Sequence, residues 1–166
     1  MICRHDKIRN VVSKMAKSVG FGVKTEQRII GSDSKQKPAD IHIDGMIKSK
    51  ATSIDITVVN PTAKSNIPIA KSKVGNLLEK AEQNKAKKYA ELINKGTVKD
   101  REEFLTFAID TYGGFGKEAV VICKRLAFES ARQNNEEVRL SVAQIRQTIT
   151  ACLFRSVANQ IMIQKR

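Results

Sequence analysis

Residues 37–59 read KPADIHIDGMIKSKATSIDITVV, and the alternation within this stretch decides the fold. After Pro38, Ile41 and Ile43 fall on one side of an extended chain and Asp40, His42 and Asp44 on the other, because successive strand side chains point to opposite faces. In SIDITVV (53–59) β-branched residues dominate, which favours a strand, and Ile54, Ile56 and Val58 oppose Asp55 and Thr57. A polar turn around GMIKSKATS (45–53) joins the two runs. Each of two adjacent strands thus carries an acid out of an otherwise apolar sequence. Taken singly, either acid is ordinary solvated surface; Asp is depleted in strands, so the pair needs more explanation.

Upstream, RHDKIRNVVSKMAKSV (4–19) places Ile8, Val11, Val12, Met15 and Val19 at helical spacing before Gly20, predicting an amphipathic helix. VKTEQRII predicts a first strand over 23–30, and GSDSKQK a polar turn. Downstream, NPTAKSNIPIAKSK (60–73) reads as a loop. A helix is expected over 74–94, with apolar or small positions at Val74, Leu77, Leu78, Ala81, Tyr89, Leu92 and Ile93. A buried strand over 103–110, a glycine turn TYGGFG and a helix over 116–133 follow. The glycines match neither nucleotide-binding loop pattern; they allow a tight turn, and the N-terminus of the helix after it is a candidate phosphate contact. A last helix over 137–163 is patterned by Leu140, Val142, Ile145, Ile149, Leu153, Val157 and Ile161. The order α-β-β-β-α-β-α-α predicts an α/β fold: a mixed sheet with helices on both faces, within one domain spanning 1–166.

The chain has 30 Lys and Arg against 17 Asp and Glu, a net charge of +13, and residues 1–94 alone hold 18 basic and 9 acidic side chains. Such a field attracts polyanions through phosphate neutralisation and counterion release, so DNA is the leading partner class and RNA the next. Lys64, Lys71 and Lys73 in the basic loop suit backbone phosphates, a contact that adds affinity without sequence information. With two Tyr, six Phe and no Trp, an aromatic platform for single strands is poorly supported. Cys3, Cys123 and Cys152 fit neither a disulfide framework nor a zinc spacing and read as ordinary thiols. The sequence offers no apolar run long enough to cross a bilayer and no secretory leader, so the expectation is an intracellular protein without a membrane partner, nuclear if eukaryotic and cytoplasmic otherwise.

Cleaving a phosphodiester needs carboxylates that hold a hard divalent cation and a positive side chain that steadies the developing charge. Asp40 and Asp55 on neighbouring strands suit the first task, and Lys85 on the following helix, or Lys88 in its place, suits the second. His42 shares the face of Asp40, where a lone His is more often a hydrogen-bonded bystander than a ligand.

The acid in KPAD (37–40), the second acid in SIDITVV and the order of elements around them resemble the PD-(D/E)xK nuclease superfamily, with its αβββαβ restriction-endonuclease-like core. The closer likeness is to the restriction-like endonuclease domain of site-specific non-LTR retrotransposons. That family shows Arg-His-Asn near its start, Pro-Asp, a second Asp after about a dozen residues, and KxxxY. Here stand Arg4-His5-Asp6, Pro38-Ala39-Asp40, 14 residues before Asp55, and Lys85 to Tyr89, over roughly residues 4–110. The chain departs from the family at Ala39, at Asp6 and at Thr57, which holds the usual lysine position. The resemblance implies a DNA endonuclease dependent on Mg²⁺, with Mn²⁺ as a substitute. Asp40 and Asp55 would bind the metal, Lys85 would replace the missing lysine, and Tyr89 would position it or pack beneath it. Glu26 would be an auxiliary ligand and His5 a supporting polar residue. Two other classes stay open: a catalytically inactive nucleic-acid-binding module of the same fold, and a structural domain of a mobile-element protein. A homodimer and a place in a larger polypeptide are equally compatible with the sequence.

Overall fold

The computed structural model describes residues 4–25, 39–47, 50–94 and 103–164. Along the chain run α1 (Arg4–Ser18), β1 (Gly22–Thr25), β2 (Ile41–Ile47), β3 (Lys50–Val59), α2 (Ile67–Ser72), α3 (Asn76–Asn94), β4 (Glu103–Asp110), α4 (Lys117–Asn134) and α5 (Val138–Gln164). The strands form one sheet in the order β1-β2-β3-β4. β1, β2 and β3 pair antiparallel, Ile41 facing Ile54, while β4 lies parallel to β3 with Thr106 beside Asp55. A parallel neighbour requires a crossover, and the segment bearing α2 and α3 supplies it.

The alternation of β3 sets the layers. Ile54 and Ile56 join Ile41, Ile43, Phe107 and Ile109 in a core completed by Ile8 and Val12 of α1, Ile122 and Leu126 of α4, and Ile149 and Leu153 of α5. On the opposite face α3 lies against β4 and β3, its Tyr89 ring stacked on Phe104 at 4.1 Å between centroids. The result is a mixed α/β architecture with helices on both faces.

The outer edge of β4 is closed without another strand. Thr106 N donates to Glu118 Oε2 at 2.5 Å, Gly116 N to the Ala108 carbonyl at 2.9 Å, and Asp110 N to the Gly114 carbonyl at 2.9 Å, so three groups that would template aggregation are paired.

Several expectations need correction. The 60–73 stretch is not all loop: its prolines suggested a break, yet Pro68 stands in the first turn of α2, where a missing N–H is harmless. Val74 is 97% exposed, because Gly75 at φ +86° separates it from the start of α3. β2 continues to Ile47 and β3 starts at Lys50, so most of the expected 45–53 turn is strand; Gly45, at φ +90°, lies where the β2–β3 register shifts. In α5, Ile145, Ile149 and Leu153 are buried but Leu140 is 52% and Ile161 51% exposed, since only its middle turns meet α1 and α4. β1 is described to Thr25; the remainder of its expected span, with Glu26, lies outside the described residues, as does Cys3. Cys123 and Cys152 are free thiols, and burial pushes Cys123 up to about 12 against the nearby charge of Arg146. No helix among the described residues is long and apolar enough to cross a membrane.

Candidate active site

Lys85 sits on the inward stripe of α3, one turn from Tyr89 and near buried Glu82, and so faces the sheet. Its Nζ donates to Asp55 Oδ2 at 2.7 Å. The pair is only partly screened from water, with the Asp55 side chain 17% and the Lys85 side chain 34% exposed. Burial raises the Asp55 carboxyl above the ordinary carboxylate range; the hydrogen bond and charge of Lys85 oppose that rise, the negative charge of Asp40 adds to it, and His5 offsets it. Asp40 and Asp55 are thus near enough to repel one another.

Asp40 does not sit within β2 as the alternation implied. It occupies a bend just before Ile41, and its own N–H donates to the Ile54 carbonyl at 3.0 Å. From there its Oδ2 accepts the Ile56 N–H at 2.7 Å and faces His5 Nε2 at 2.9 Å, which donates in the tautomer protonated there. His5 Nδ1 lies 3.3 Å from Asp6 Oδ1. The N-terminal turn of α1 therefore holds Asp40 against β3, one residue away from Asp55.

Each acid keeps its Oδ1 free of protein hydrogen bonds among the described residues, while Oδ2 is held in place. Two anchored carboxylates with one open oxygen apiece fit Mg²⁺, which retains several waters and takes one or two carboxylates together with substrate phosphates. Among the described residues there is no group of three or more His, Cys, Asp and Glu that could hold a metal, so a third protein ligand is not found there.

The remaining candidates separate. Tyr89 is buried with its ring on β4, packing beneath the helix that carries Lys85. Lys88 is exposed and pairs with neither acid among the described residues. His42 faces the same side of the sheet as Asp55, but its Nδ1 is hydrogen-bonded to Ser53 Oγ at 2.8 Å. Lys64, Lys71 and Lys73 are exposed on the segment around α2. The N-terminus of α4 is not open to a phosphate: Glu82 Oε1 accepts the Glu118 N–H at 3.0 Å, and a Cβ on Gly116 would collide with that same oxygen. Sequence reasoning missed Thr106, in register beside Asp55 and fully buried, whose Oγ1 has no hydrogen-bond partner among the described residues. Its signal was present in EFLTFAID, where Thr106 alternates with the core residues Leu105 and Phe107. Compared with protein-family models and with curated proteins, the sequence matches none.

Proposed function

We propose that this protein is a metal-dependent endonuclease that hydrolyses DNA phosphodiester bonds. The observation that carries the proposal is the Lys85–Asp55 contact of 2.7 Å beside an Asp40 fixed by His5 and the Ile56 amide. An ammonium and two acids, brought together from α3, β3 and the bend before β2, make up a set suited to phosphoryl chemistry. Further support comes from the order of elements: an antiparallel β1-β2-β3 meander followed by a helical crossover to a parallel β4 is the arrangement expected of a restriction-endonuclease-like core. The net charge of +13 favours a polyanionic substrate.

In this scheme Asp40 and Asp55 would hold Mg²⁺, or Mn²⁺ in its place, and the cation would supply Lewis-acid polarisation of the scissile phosphate and of the attacking water. Lys85 turns from Asp55 toward a non-bridging phosphate oxygen and steadies the charge that develops there. His5 and the Ile56 amide keep Asp40 aimed, so that carboxylate need not reorganise during the reaction.

Incubation with supercoiled plasmid, with and without Mg²⁺, tests the proposal. Metal-dependent nicking that disappears in Asp55→Ala is expected. DNA binding without nicking in either metal refutes cleavage and leaves the binding module in its place.

A further inference from the structure

On the far side of the sheet from Lys85, two grooves flank the exposed surface of α5. One, of about 430 Å³, lies between α5 and the turn after β4, and includes Phe115, Arg146 and Phe154. The other, of about 550 Å³, lies between α5 and α1, and includes Lys7 and Arg155. They share Gln147 and Ala151, which form the saddle between them.

Every charged residue that lines them is positive. Neither groove contains an Asp or a Glu, and Lys7, Arg146 and Arg155 form no ion pair among the described residues. By contrast Arg9, Arg125, Arg132 and Arg139 each pair with a carboxylate. Arg146 is also held in place, its guanidinium 4.8 Å from the centre of the Phe115 ring. Arg146 and Arg155 stand about 14 Å apart along the helix at 1.5 Å per residue, on opposite sides of the saddle. Phe154, 48% exposed, stands between them, and Gln147 adds an amide.

We infer that these grooves form a second nucleic-acid site, one that takes single-stranded DNA across the α5 saddle. The two arginines and Lys7 neutralise successive phosphates, and Phe154 offers its ring to an unstacked base. A duplex keeps its bases stacked inside and has no face to give Phe154, so the combination of unpaired cations and an open aromatic selects the single strand. The exposed Phe154 ring beside these cations thus provides the stacking surface that the aromatic count alone argued against. Only the choice of DNA over RNA rests on the proposed nuclease activity.

Fluorescence anisotropy with a labelled oligothymidylate of about 12 nucleotides, measured in EDTA, tests the site whether or not the protein cuts. Phe154→Ala is expected to weaken binding about 5-fold or more, from the loss of one stacked base. Arg155→Glu is expected to weaken it about 10-fold and to make the salt dependence shallower by about 0.7 in the log–log slope per lost phosphate contact. Lys87→Glu, the same charge change on the outer face of α3, controls for the general field and should cost clearly less. Equal losses in Arg155→Glu and Lys87→Glu, no loss in Phe154→Ala, a loss of duplex binding in Phe154→Ala as large as that of oligothymidylate, or tighter binding of oligouridylate would each overturn the inference. Loss of plasmid nicking with these results intact would instead refute only the nuclease.

Discussion

Replacing Lys85 by Met isolates the interaction on which the proposed chemistry depends. The change keeps the aliphatic stem that packs against the sheet but removes the ammonium 2.7 Å from Asp55. Exposed pairs contribute about 0.2–1 kcal/mol, and removing one partner of a buried pair costs about 3–5 kcal/mol. Asp55 is mostly buried and Lys85 about a third exposed, so the loss should fall between these limits, at about 1–2 kcal/mol. It should also vary with pH. The Asp55 carboxyl is already raised by burial, and without Lys85 the two largest opposing influences vanish, so it rises further. An acid whose folded pKa exceeds its unfolded one binds protons in the native state where the unfolded chain does not, so stability falls as pH rises through that interval. Lys85→Met should therefore be more damaging at pH 8 than at pH 5, and Asp55→Asn in the same background should recover most of the loss at pH 8. Urea unfolding in EDTA, run as a double-mutant cycle, measures the coupling. Single-variant effects that add within about 0.3–0.5 kcal/mol, or a Lys85→Met penalty independent of pH, would refute the reasoning.

Removing His5 takes away one of the two groups that hold Asp40 Oδ2, so His5→Ala should lower plasmid nicking about 10- to 100-fold while leaving the circular dichroism spectrum unchanged. Gly116→Ala drives a methyl into Glu82 Oε1 and so breaks the link between α3 and the start of α4; a loss of about 2 kcal/mol is expected in urea, with partial recovery in the Glu82→Ala background. Burial raises the Glu82 carboxyl, the Glu118 amide bond opposing it, so its charged form costs stability as pH rises above the ordinary carboxylate range; Glu82→Gln should flatten that part of the thermal-stability profile. Phe107→Ala, at a fully buried core position, should cost about 3–5 kcal/mol by thermal or urea unfolding.

Alternation in 53–59 was a dependable guide because a strand with one apolar face has a single acceptable register; Ile54 and Ile56 could not be buried without turning Asp55 to the other side. The long helices were legible for a related reason: an apolar stripe at helical spacing must find a surface to cover. Asp40 was misplaced because its position depends on two contacts distant in sequence, to His5 and to the Ile56 amide, and no local pattern encodes them. α2 was hidden by a proline that reads as a breaker unless it is known to begin a helix. For Lys85 the local signal was partial. It shares a stripe with Leu78, Glu82 and Tyr89, which brings it inward, but that it meets Asp55 follows only from the crossover that lays α3 over β3 and β4.

A buried-edge acid in the middle of a sheet is a poor choice for stability alone. Its desolvation raises its pKa even with a lysine at hydrogen-bonding distance, and a neighbouring acid makes matters worse. An apolar residue at position 55 facing an apolar residue at 85 would meet the packing requirement at lower electrostatic cost. Around this conflict the alternation of β3, the covered edge of β4 and the stripe of α1 all agree with the fold. Asp55 thus keeps an unfavourable charge where β3, the bend before β2, α1 and α3 converge, which is where the proposed cation-assisted reaction would draw on it.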